Sequence, residues 1–227
     1  MSIKKELLAR IREYQSRMAK RVVRYDMVSD VRYVCGVDSA YSGGAYTVAV
    51  IVDIDSKKEV YREQYISKVS VPYMSTYLFL REAAPILQAL RRLCDHRYDI
   101  ILVDGNGILH PRLFGIACYI GLLVDKPTIG VSKSLLCGDI VDESIVMHGE
   151  VVGKALRLST KNKSKNKSIY VSIGHKISLD TASSIVKRLL IKDGKELGAP
   201  LPLMLADRYA NELRRSLALQ QTSRIHR

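Results

Sequence analysis

The four cysteines, Cys35, Cys94, Cys118 and Cys137, lie far apart and form no Cys-x-x-Cys pair. That spacing argues against a zinc ribbon and against a disulfide framework, and three of the four sit in apolar runs typical of buried thiols. A reducing compartment follows, with the cytoplasm as the expected location. No run of about 18 uncharged apolar residues occurs, which leaves no candidate membrane span. The N-terminal stretch MSIKKELLARIREYQ is a charged amphipathic helix rather than a signal peptide. Acidic residues are in short supply: 23 Asp and Glu stand against 36 Lys and Arg, for a net charge of +13. Such an excess favours a polyanionic partner, because each phosphate neutralised releases counterions. Nucleic acid is the expected partner, with no membrane surface involved.

The 227 residues, 47% of them hydrophobic, are enough for one α/β domain with a sizeable core. An N-terminal helix is expected over roughly residues 3–27 and a frayed tail over about 220–227. Between them, Tyr33–Asp38, Ala45–Asp53 and Val60–Ser67 are β-prone runs separated by turns short enough to join antiparallel neighbours. Apolar residues recur at helical spacing from Thr76 to Cys94, but Pro85 lacks a helical donor, which places the helix start near Arg81 to Pro85. Asp99–Val103 reads as a buried strand ending at Asp104. A Gly-rich loop, a helix near Leu113–Val124 and a buried strand at Thr128–Val131 complete a β-α-β unit with parallel pairing. A meander feeding such a unit predicts a mixed sheet flanked by helices, the pattern of the ribonuclease H-like fold, although pattern alone also admits other α/β folds. Further on come β-prone Ile145–Val152, a turn at Gly153, strand Ile169–Ile173, helix Leu179–Ile191 and a helical segment at Pro202–Leu219. The run from Lys154 to Ser168 holds six basic residues and no acidic one. It is either a solvated hairpin tip or a phosphate-contacting loop.

Three acidic residues fall where a sheet-based metal site needs them: Asp38 at the end of a β-run, Glu82 at the start of a helix, and Asp104 at the tip of a buried strand. Magnesium is a hard cation that takes a few carboxylates plus waters and phosphate oxygens. Asp after a strand is also a common turn or cap residue, so the spacing alone decides little. The loop Asp104-Gly105-Asn106-Gly107-Ile108-Leu109-His110-Pro111-Arg112 adds to the case. Gly105 and Gly107 would let the backbone approach a ligand, His110 offers a proton-transfer group, and Arg112 offers a phosphate fork. His110 breaks the G-x-G-x-x-G spacing of a dinucleotide loop. Asp99 is assigned a supporting role in the sheet or turn.

The block VDGNGILHPRLFGIACYIGLLVDKPTIGVSKSLL resembles the signature of the endonuclease V family. CGVDSAY, VPYMSTYLFLREAAPIL, VSIGHKISLDTA and LPLMLADRYANEL resemble further blocks of that family, in the same order. The resemblance implies a metal-dependent endonuclease that uses magnesium, with manganese as a substitute. It would nick nucleic acid at the second phosphodiester 3′ to a deaminated adenine. Carried over by position, it makes Asp38, Glu82, Asp104 and Asp207 the metal carboxylates and sets Lys133 near the scissile phosphate. It places His110 near the catalytic centre. It also makes Pro72, Tyr73 and Met74 part of a wedge that replaces base stacking while the altered nucleotide is flipped. On residues alone, Tyr73 reads first as a side chain packed on the core in a strand-to-helix loop, and the surrounding blocks turn the reading to the wedge. Three departures stand out: Ser75 replaces a proline, and Asn106 and Tyr119 replace histidines. The expected partner is nucleic acid carrying deaminated bases, acted on by a monomer. Two rivals are a non-catalytic nucleic-acid-binding module and a nuclease for branched structures on the same fold.

Overall fold

A computed structural model describes residues 2–69, 71–159 and 167–225, without side-chain detail for residues 2–4 and 218–225. In chain order the elements are α1 (Ser2–Ala19), β1 (Tyr33–Tyr41), β2 (Gly44–Asp53), β3 (Lys58–Lys68), α2 (Leu78–Arg92), β4 (Ile100–Asp104), α3 (Ile116–Val124) and β5 (Thr128–Ser132). There follow β6 (Asp139–Val141), β7 (Ser144–Met147), β8 (Glu150–Leu158), β9 (Lys167–His175), α4 (Leu179–Leu189), the small pair β10 (Ile191–Lys192) and β11 (Lys195–Glu196), and α5 (Leu201–Ile225).

Nine strands form one mixed sheet in the order β3-β2-β1-β4-β5-β9-β8-β7-β6. The hairpins β1-β2 and β2-β3 are antiparallel, and β1, β4 and β5 run parallel. Strand β9 then turns antiparallel against β5 and leads outward through β8, β7 and β6. The first five strands carry the ribonuclease H-like arrangement expected from the sequence. Strand β2 is buried at every residue, whereas β3 at the edge is charged and largely exposed. Charges on an edge discourage pairing with another chain.

Strand alternation assigns the faces. Cys35 and Val37 of β1 and Ile101 and Val103 of β4 point into the core under α2 and α3. The intervening positions face the opposite side, where α5 lies on β1 and β2. Gly36 makes that approach feasible, because a Cβ there would lie 2.5 Å from the backbone of Pro202. Asp99 supports the sheet as expected, tying the start of β4 to that of β1 by accepting from the Arg32 and Tyr33 amides at 2.9 and 2.8 Å.

Several boundaries differ from expectation. Helix α1 stops at Ala19 rather than near residue 27, since Val23 and Met27 are held in irregular backbone: the Val23 amide donates to His175 Nδ1 and the Met27 amide to the Lys176 carbonyl. Helix α2 starts at Leu78, and Pro85 sits inside it with its ring buried. Packing of an amphipathic face there outweighs one missing hydrogen bond. The turn placed at Gly153 lies instead at His148-Gly149, where both residues have positive φ, and Gly153 is within β8. Strands β8 and β9 consume both ends of the basic run, so its hairpin reading holds for the flanks, while residues 160–166 lie outside the described residues. Helix α5 continues to Ile225 through most of the stretch expected to fray. Among the described residues no helix is long and apolar enough to cross a membrane. All four cysteines are free.

Candidate active site

Register brings the first two carboxylates together. Val37 of β1 pairs with Val103 of β4 in a parallel ladder, so the next residues, Asp38 and Asp104, are neighbours on the α5 face. Asp38 lies inside β1, not at its end, because the strand continues to Tyr41. Asp104 pairs with Val131 on β5, and Lys133, just past that strand, reaches it at 3.5 Å. Helix α5, seated on Gly36, brings Asp207 to the same place. These four residues line a cavity of about 310 Å³ with Lys167, Met204 and Leu203. Lys167 is a member of the site that sequence reading left inside an undivided basic run. Its pairing opposite Leu158, which only the strand register reveals, turns it towards the carboxylates' side of the sheet.

The electrostatics show a surplus of negative charge. Burial, then the neighbouring Asp104, raises the Asp38 pKa well above the ordinary carboxylate range, against the Ser39 amide that donates to it at 2.7 Å. Burial also raises Asp104, with Lys133 opposing the shift. Glu82, from the second turn of α2, is pushed up to about 7 by burial and by Asp104. Burial works against the Lys133 charge, yet Asp104, Asp38 and Asp207 together lift its pKa above the ordinary value. Buried carboxylates with too few cations to balance them suit a hard divalent ion. Among the described residues no three His, Cys, Asp or Glu side chains close into a ready-made cage.

A second, smaller cavity of about 60 Å³ lies along the same loop, lined by Gln15, Tyr73, Thr76, Asn106, His110 and Leu136 among others. Tyr73 is 64% exposed. That rules out its reading as a core side chain. Pro72 is exposed and Met74 half-buried beside it. Asn106, one of the departures, accepts from Ser132 Oγ at 3.0 Å. Tyr119, another, packs against Phe79 with ring centroids 4.9 Å apart.

Four residues of the loop have other duties than those expected. His110 is buried: Nε2 donates to the Thr76 carbonyl at 3.0 Å, and Nδ1 accepts from the Arg112 amide at 3.2 Å. It lines the small cavity and not the carboxylate cavity, so both ring nitrogens are spent on the loop rather than on proton transfer. Arg112 is likewise engaged, with Nε on Gln15 Oε1 and Nη2 on both Thr76 oxygens, each at 2.8 Å. Two of the three nitrogens of its fork therefore grip protein. Gly105, at φ +148°, occupies backbone space that favours glycine, and a Cβ there would meet Ile116 at 2.6 Å. A Cβ on Gly107 would lie 1.9 Å from the Ile173 carbonyl. Within the protein, the close approach these glycines permit is to α3 and β9.

The chain matches the endonuclease V family model over residues 16–208. Endonuclease V of Thermofilum pendens is 43% identical over 210 residues, spanning 89% of this chain and 87% of that protein. Endonuclease V of Sulfolobus acidocaldarius is 38% identical over 83% of this chain and 86% of its own. Among solved structures, Ciona intestinalis endonuclease V bound to a 24mer DNA containing an inosine followed by a ribo-adenosine superposes with a TM-score of 0.81. It is 30% identical over 93% of this chain and 99% of that one. Endonuclease V of Bacillus subtilis gives a TM-score of 0.81 at 29% identity, covering 92% of each chain. The family match over residues 16–208, the identity across most of both chains and the shared fold agree, and the chain belongs to the endonuclease V family.

Proposed function

We propose that this chain nicks nucleic acid beside a deaminated adenine, at the second phosphodiester on its 3′ side, using magnesium or, in its place, manganese. The reading is carried by one observation: Asp38 and Asp104 stand side by side on adjacent parallel strands, in a cavity shared with Asp207 and Lys133. Asp38, Asp104, Glu82 and Asp207 are the residues that would hold the metal. When bound there, a divalent ion supplies water activation and charge stabilisation at phosphorus. Lys133 places an ammonium where charge grows on the phosphate during cleavage. Lys167 adds a second cation at the cavity wall. The net charge of +13 supplies sequence-independent attraction to the backbone.

Recognition of the altered base is assigned to the small cavity. Tyr73 on the rim replaces lost stacking, and Pro72 and Met74 flank it. At about 60 Å³ the cavity is well below the roughly 300 Å³ of an ordinary ligand cleft. The Tyr73 loop or Leu136 must therefore give way for a purine to enter. The inosine-containing DNA held by the Ciona intestinalis relative supports this choice of substrate. We further propose that the chain acts as a single-domain monomer in the cytoplasm.

The test is cleavage of matched DNA and RNA oligonucleotides, each with one inosine or none, with magnesium, with manganese or with chelator. Metal-dependent nicking on the 3′ side of inosine, lost in Asp38→Ala and Asp104→Ala proteins that still fold, is the expected result. Cleavage that ignores inosine and follows branched structure would overturn the substrate. Full activity in either variant would overturn the site.

A further inference from the structure

We propose that Gln15 of α1 is a positioning residue for lesion recognition, acting with Arg112 and His110 as a clamp on the Thr76 carbonyl that presets the Tyr73 loop. The inference rests on the proposed reading of Tyr73 as the residue that replaces stacking.

Three side chains converge on one oxygen. His110 Nε2 lies 3.0 Å from the Thr76 carbonyl, Arg112 Nη2 2.8 Å and Gln15 Nε2 3.3 Å. A carbonyl has two lone pairs, so three donors exceed its ordinary capacity. Arg112 Nη2 also binds the Thr76 hydroxyl at 2.8 Å, fixing the side chain with the backbone. Thr76 has φ +66°. A β-branched residue in left-handed backbone is an outlier that persists only where its surroundings hold it. Here the surroundings are this clamp, together with the turn closed by the Tyr77 amide on the Met74 carbonyl at 3.0 Å. Tyr73 is therefore adjacent to a turn whose far end is locked.

Gln15 ties the clamp to the rest of the molecule. It is 0% exposed although its helix is charged. Its Oε1 accepts from Arg112 Nε at 2.8 Å, and its Nε2 also reaches the Phe114 carbonyl at 2.9 Å. One amide thus links α1 to the Arg112 fork, to the loop entering α3 and to the Thr76 turn. The position also explains how a chain with Ser75 in place of proline keeps its loop pre-organised. Side-chain hydrogen bonds supply the rigidity that a ring would have supplied, and pre-organisation is gained in affinity for the bound shape.

Gln15→Met keeps the volume and removes the polar contacts. Binding and single-turnover cleavage are measured on inosine-containing and undamaged duplexes at one salt concentration, beside a melting curve and beside Tyr73→Ala. Gln15→Met should lower the preference for inosine about tenfold, the effect of one lost buried hydrogen-bonding group. The shift should fall on the half-saturating concentration, with the cleavage rate at saturation retained. Thr76→Asn in the Gln15→Met background should restore much of the preference, because Asn accepts left-handed backbone and keeps an oxygen for Arg112. If Gln15→Met does not fold, Gln15→Glu keeps the acceptor for Arg112 while removing the donor to Thr76, and the same loss is expected. An unchanged preference in the Gln15 variant while Tyr73→Ala loses it overturns the clamp. An unchanged preference in Tyr73→Ala overturns the stacking reading itself. A loss that follows melting temperature and is not restored by Thr76→Asn reduces Gln15 to a folding residue and overturns the inference.

Discussion

A Cβ on Gly36 would sit 2.5 Å from the Pro202 carbonyl carbon, so the bare backbone of β1 is what lets α5 close over the sheet. Asp207 is carried on that helix, and Gly36 is two residues before Asp38 on the same face. Gly36→Val should cost about 1–3 kcal/mol of stability through overpacking. It should also raise the metal concentration needed for half-maximal cleavage, since α5 must retreat with Asp207. Melting curves and a magnesium titration read the two effects, and an unaltered titration would separate Asp207 from the metal site.

Lys133 and Asp104 are 3.5 Å apart, which sets the ammonium beside the carboxylates proposed to hold the metal rather than out along a bound duplex. Lys133→Ala should slow single-turnover cleavage on the order of a hundredfold, with a much smaller effect on affinity. Equal losses in rate and affinity would make it a binding lysine.

Exposure of Tyr73 divides stability from recognition. Tyr73→Ala should leave the melting temperature nearly unchanged, since a side chain 64% exposed leaves no core cavity behind. Affinity for the inosine site should fall by roughly 1–3 kcal/mol, the worth of one stacking aromatic. A drop of the size seen for buried aromatics, about 3–5 kcal/mol of folding stability, would count against the assignment.

His110 makes stability depend on pH. Burial is the main cause that holds its pKa down to about 4, opposed by the hydrogen bond to Thr76. The unfolded chain takes up the proton first, so stability from the neutral ring is complete above about pH 6.5 and falls as pH drops towards 4. The loss amounts to about 3 kcal/mol at most. Comparing melting temperature against pH for the natural chain and His110→Gln isolates this term from the carboxylates. The natural chain should show the steeper acid slope, and parallel curves would disprove the buried neutral ring.

Much of the site was legible because its parts sit at the ends of strong local patterns. Val34–Val37 and Ile100–Val103 are apolar runs, and each is followed at once by a carboxylate, Asp38 or Asp104. Their adjacency was not legible: the parallel unit read from the sequence joins β4 to β5, and only the register of β1 on β4 sets Asp38 beside Asp104. The protein contacts of Arg112, His110, Gly105 and Gly107 were not legible for one reason: residues able to grip a ligand are equally able to grip protein, and only coordinates reveal what they meet. Gln15 was invisible because a lone amide in a charged helix carries no periodic signal. Pro85 misled the placement of α2, since local propensity was weighed without the sheet against which the helix packs. Lys167 needed the β8-β9 register, a relation between distant positions that composition does not encode.

Asp104 lines one cavity and Asn106 the other, on a single loop. Two residues of chain span at most about 7 Å, and nucleotides on one strand of a duplex rise about 3.4 Å each. On the proposed reading, that short tether works as a ruler. The bond that is cut and the base that is read are held in fixed register by covalent structure, with no hinge between them. A residue inserted beside Gly105 should therefore move the nick along the strand, or abolish it, without touching any group that performs the chemistry.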